Sequence, residues 1–125
     1  MKDTKVPTLI GACPNCMIVP LRVADSFVGD ANHFAQAVIY AADNGADVIN
    51  LSVGSSLSSQ VEQDAVADAR AAGVILVASA GNEGNDLPIY PASYDGVIGV
   101  SATTISRAVG IGIRRVVGNR RTGDL

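Results

Sequence analysis

The chain has no tryptophan, one histidine, two cysteines and five aromatic residues in 125. Two cysteines and one histidine cannot supply the four ligands of a structural zinc site, so no metal and no cofactor is expected. No apolar run approaches the roughly 18 residues that span a bilayer, and Met1 to Gly11 lacks the basic-then-apolar layout of a signal peptide, so neither a membrane partner nor an address is read here. Basic residues are scarce up to position 104, with four Lys/Arg against eleven Asp/Glu, whereas residues 105–125 hold five Arg and one Asp. A basic tail can bind nucleic acid, but five arginines without aromatic partners or a helical stripe make no case for it. What is plentiful is apolar: 48% of residues and a mean hydropathy of +0.30 suffice for one packed domain.

The chain is organised around Val74 to Asn85. Its branched apolar run without polar alternation predicts a strand buried on both faces, stopping at Gly81-Asn82. Asn82 then lies just past the carboxyl end of a central strand, where open α/β sheets bind ligands; an ordinary Asn/Gly turn is the other reading. Met17 to Val23 reads as a short buried strand, and Asp25 to Asp30 as a loop. Ala31 to Asn44 places Phe34, Ala37, Val38 and Ala41 on one helical face, with Asp30 or Asn32 as cap and Gly45 as stop. His33 falls in its first turn, as a solvent-facing or capping residue.

Asp47 to Val53 reads as the next strand. Ser59 and Glu62 form a capping-box signature for a helix that Gly73 ends. The helix dipole accounts for Glu62, Asp64 and Asp68 without a catalytic role. Gly84 to Asp95 is a turn-rich loop, and Val97 to Ala102 a last strand. The order predicts an α/β fold, a three-layer, largely parallel sheet flanked by helices. Cys13 and Cys16, in Cys-Pro-Asn-Cys, read as a small local disulfide or as two thiols in a loop.

Four stretches together resemble the subtilisin-like serine proteases, the subtilases: Gly11 to Val23, Ala41 to Gly54, Gly73 to Asn85, and Tyr90 to Thr104. They come in that family's order and spacing, and divide the chain into a lead-in (1–10), a partial catalytic domain (11–104) and a basic tail (105–125). The resemblance implies that Asn82 is the side-chain donor of an oxyanion hole. A carboxamide donates to the developing alkoxide without a proton to lose, and removing this donor from a subtilisin lowers turnover by about 10²–10³. It also implies that Leu51, Ser52, Val53 and Gly54 form one wall of the substrate pocket and Ala78, Ser79, Ala80 and Gly81 the facing wall. The partner implied is an extended peptide or protein, and Tyr90-Pro91 matches the place of a cis-proline.

The family's Gly-Thr-Ser-Met-Ala, His-Gly-Thr-His and Asp-Thr-Gly or Asp-Ser-Gly segments do not occur in the 125 residues. His33 and Asp25 lie in the wrong context to replace the base and acid. The chain is therefore expected to be an endopeptidase fragment without turnover of its own, or alternatively a non-catalytic peptide-binding α/β module. Back-translating Ile113 to Leu125 and reading one base forward allows a segment similar to the one the family places next, which suggests an out-of-frame tail from about residue 107.

Overall fold

The computed structural model describes residues 11–25 and 28–102. Two two-residue strands, β1 (Ala24–Asp25) and β2 (Val28–Gly29), form a small antiparallel pair. They lead into α1 (Ala31–Asp43), β3 (Val48–Leu51), α2 (Gln60–Ala71), β4 (Ile75–Ser79) and β5 (Ile98–Val100). The last three strands form one parallel sheet in the order β3-β4-β5, with Leu51 opposite Ala78 and Ala78 opposite Gly99. The expected parallel sheet flanked by helices is present, with β4 in the middle.

Both helices are set by local chemistry. The Asp30 side chain caps α1 by accepting from the Asn32 N–H at 2.9 Å, and Gly45 takes the positive φ of +80° that ends it. Phe34, Ala35, Val38 and Ala41 are buried, so Ala35 rather than the half-buried Ala37 completes the stripe. Gly73, at φ +88°, closes α2 in the same way.

The amino end of α2 departs from the predicted capping box. Ser59 is the N-cap residue, but its side chain makes no capping bond. Its N–H instead donates to the phenolic oxygen of Tyr94 at 2.9 Å, and that hydroxyl reaches the Glu62 carboxylate at 2.9 Å. The arm that Glu62 would extend to the N-cap is thus relayed through a tyrosine more than thirty residues away. Burial of the phenol, which is 4% exposed, is the largest factor raising its pKa from 10.0 to about 12, and the nearby Glu62 carboxylate adds to the rise.

The core lies between one sheet face and the two helices. Leu51, Leu76 and Ala78 point into it from the strands and meet Phe34, Val38, Ala65, Val66 and Ala69. Burying each of the larger side chains contributes about 1.5–3 kcal/mol. The opposite face is open: Val48, Ile75, Ile98 and Val100 are 51–56% exposed. The apolar run of β4 predicts cover on both faces, but the described residues provide helices for one.

A second difference concerns Met17 to Val23, which is not a strand, with Met17 92% and Ile18 84% exposed. An apolar run signals a demand for burial and does not itself supply a neighbouring strand, and among the described residues this one has no ladder partner. Just before it, Cys13 and Cys16 are joined in a disulfide across a tight turn closed by the Cys16 N–H to the Cys13 carbonyl at 3.2 Å. Residues 105–125, including the tail, and the lead-in 1–10 lie outside the described residues.

Candidate oxyanion site and groove walls

Asn82 follows the central strand by three positions. The chain leaves β4 through Ala80, whose N–H donates to the Val100 carbonyl at 2.9 Å, and turns at Gly81 with φ +87°. A side chain at Gly81 would face a left-handed backbone conformation as well as contact with Glu83. Asn82 is thereby exposed beyond the carboxyl tips of the parallel strands, as the sequence places it. Its backbone N–H donates to the Glu83 carboxylate at 2.8 Å. None of the hydrogen bonds among the described residues engages its carboxamide, which leaves two N–H donors for a ligand.

The two predicted walls are carried by adjacent strands. Leu51 and Ala78 are register partners and both buried, whereas Ser52 and Gly54 are exposed and Val53, Ser79 and Gly81 half-buried. The Ser79 hydroxyl donates to the Val53 carbonyl at 3.3 Å, so the walls are tied beyond the last ladder bond. A third segment locks them. Ser55 and Tyr90 exchange both backbone hydrogen bonds, at 2.9 and 2.8 Å, immediately before a cis Tyr90-Pro91 peptide at the position the resemblance indicated.

One contributor was not legible in the sequence. Ile89 is buried and wedged between the two walls: a Cβ on Gly54 would come within 2.9 Å of its Cγ2, and one on Gly81 within 3.1 Å of its Cγ1. The facing glycines were the available signal, since each leaves room for the same side chain, but nothing local pairs them with a residue in a loop. Glu83 was also unassigned, and its bond to the Asn82 N–H makes it part of the turn.

The remaining polar groups form a different surface. His33 is exposed on α1, with its Nδ1 3.8 Å from the Asp30 carboxylate. Together with Arg22 and Asp25, which form an exposed ion pair, they line an open depression of about 480 Å³ that includes no wall residue. It contains no nucleophile, and His33 has the solvent-facing position expected of it. Among the described residues no three His, Cys, Asp or Glu side chains converge on a metal position, and no helix is long and apolar enough to cross a membrane.

The structure thus places an exposed carboxamide past the tip of β4, next to the ends of two paired parallel strands, and comparison with known proteins gives its lineage. The subtilase family model (Peptidase_S8) matches residues 1–112. A thermophilic serine proteinase of Bacillus sp. (strain AK1) is 42% identical over 95 residues, covering 75% of this chain and 24% of that protein. Thermitase of Thermoactinomyces vulgaris is 42% identical over 96 residues, covering 76% of this chain and 34% of that protein. Among solved structures, a lanthipeptide protease superposes with a TM-score of 0.72 at 27% identity, over 80% of this chain and 35% of its own. Sphericase gives 0.56 at 32% identity, over 60% and 26%. The chain thus spans about a quarter to a third of these relatives, and it belongs to the subtilase family of serine proteases.

Proposed function

We infer that this chain is the central part of a serine endopeptidase catalytic domain, carrying the oxyanion donor Asn82 and both groove walls but not the groups that generate the oxyanion. The observation that carries this reading is the exposed Asn82 carboxamide at the tip of β4, beside Leu51 to Gly54 and Ala78 to Gly81. In acyl transfer a base-activated serine attacks the scissile carbonyl, and the carboxamide stabilises the charge that develops on its oxygen. The groove holds extended peptide through the backbone, which accepts varied sequences.

Neither the family's nucleophile segment nor its base segment occurs in these 125 residues. An oxyanion donor without them stabilises a charge that nothing in the chain creates, so the isolated chain does not hydrolyse peptide bonds. A fluorophosphonate probe, which labels only an activated serine, tests this directly. No labelling is expected at any pH from 6 to 9, and stoichiometric labelling would overturn the reading. Titration with an extended peptide examines the alternative: saturable binding without labelling is the signature of a non-catalytic peptide-binding module.

The tail belongs to the same account. Residues from about 107 onward are proposed as an out-of-frame continuation of the coding sequence. The coding DNA tests it, because codons that give no family-like Pro-Gly segment in the next frame reject the proposal.

A further inference from the structure

The Cys13–Cys16 turn takes no part in the groove, yet with Met17 it holds three of the chain's four sulfur atoms within five consecutive residues. Cys13, Cys16 and Met17 are all exposed. Met17 is 92% exposed, although methionine is ordinarily among the buried residue types. No side chain of residues 11–17 belongs to the core, and residues 11–20 include no charged side chain.

The disulfide closes over a turn that has a hydrogen bond of its own. The Cys16 N–H donates to the Cys13 carbonyl at 3.2 Å, and the two Cα atoms lie 5.4 Å apart. So short a ring removes less chain entropy than a longer one, and an exposed disulfide is open to thiol exchange. A low-molecular-weight thiol can therefore reduce it without unfolding the core. Two R–SH molecules pass two electrons and two protons to the cysteine sulfurs and leave as R–S–S–R. The product is a pair of thiols that the turn keeps close together.

Thiolate and thioether donors select soft cations. Structural zinc wants four ligands where this segment has three sulfurs, and His33, the only histidine, lines the separate depression beside Arg22 and Asp25. Calcium and magnesium take oxygen donors, and no carboxylate side chain lies between positions 11 and 20. Monovalent copper accepts both soft donors and a low coordination number. We propose that the reduced Cys13-Pro14-Asn15-Cys16-Met17 segment binds one Cu(I) through the two thiolates and the Met17 thioether, and that the disulfide is the closed, non-binding form of the same site. Cu(I) displaces both thiol protons as it binds, so the metal and its two thiolates carry one negative charge together. This inference is independent of the proteolytic reading.

The full chain is reduced with a phosphine, desalted under argon and titrated into the Cu(I)–bicinchoninate complex, whose colour reports the copper withdrawn from it. The reduced chain should withdraw one Cu(I), and neither the oxidised chain nor Cys13→Ser should withdraw any. Changes to outer groups around a metal already cost about 10-fold to 100-fold in affinity, so Met17→Leu should hold copper at least about tenfold more weakly. Circular dichroism should be alike for the oxidised, reduced and substituted chains, because residues 11–17 lie outside the core. No withdrawal by the reduced chain would overturn the proposal, as would withdrawal by the oxidised chain or Cys13→Ser equal to that of the reduced parent. Unchanged retention by Met17→Leu would overturn the three-sulfur site, and loss of helical signal on reduction would overturn the switch between closed and binding forms.

Discussion

Tyr94 takes on through one oxygen a task that two side chains usually share. It accepts from the Ser59 N–H and points its hydroxyl at Glu62, with the Ser59 carbonyl 3.2 Å away. Replacing it by phenylalanine leaves the N-cap N–H without that partner while preserving the ring against Tyr90, whose centroid is 4.8 Å away. Tyr94→Phe is expected to lower stability by about 1–2 kcal/mol in urea denaturation. The same group sets an alkaline limit. Its pKa is about 12 in the fold against 10.0 when unperturbed, so the unfolded chain loses this proton first. The associated stability is complete below pH 10 and disappears as pH rises through about 12, a loss of about 2 kcal/mol that Tyr94→Phe should not show. Midpoints measured from pH 9 to 12 for both proteins check the sign. Gly54 offers a separate test, because a methyl group there meets Ile89, which packs against both Gly54 and Gly81. Gly54→Ala should cost about 1–3 kcal/mol through overpacking, and an Ile89→Val change made with it should recover part of that loss in the same denaturation series.

At the scale of elements, what could be read from the chain was whatever local periodicity and caps determine. The stripe of Phe34, Val38 and Ala41, the Asp30 cap and the glycine stops placed both helices to within a residue or two. The apolar run before Gly81 placed the central strand and, with it, Asn82. What could not be read depends on contacts distant in sequence: the Tyr94 hydroxyl at the start of α2, Ile89 between two glycines, and, among the described residues, the lack of a ladder partner for Met17 to Val23. The Arg70–Asp95 contact belongs to this class too. It joins the last turn of α2 to the loop before β5, with Nη1 2.8 Å from the carboxylate and 3.0 Å from the Asp95 carbonyl. Asp95 is largely exposed, so solvent screens the pair. Arg70→Ala is expected to change stability by less than about 1 kcal/mol, distinctly less than Tyr94→Phe, and measuring both under one set of conditions gives the ranking.

For the molecule as a whole, one apolar layer holds the fold together while a second apolar surface faces water. Leu76 and Val66 are fully enclosed between helices and sheet, yet Ile75, the neighbour of Leu76 on β4, is 51% exposed and Ile98 on β5 is 53% exposed. Contiguous apolar surface beside strand edges that are unpaired among the described residues favours association between chains. The isolated chain is therefore expected to become less soluble as concentration rises, with light scattering increasing above tens of micromolar. Replacing Ile75 and Ile98 together by threonine keeps β-branched side chains on the strands but reduces the apolar area presented to solvent. That double variant should remain monomeric at concentrations where the parent chain scatters, with its urea midpoint little changed because neither side chain points into the core. If the variant scatters as strongly as the parent, association runs through another surface, and the exposed Met17–Ile18 segment is the next to test.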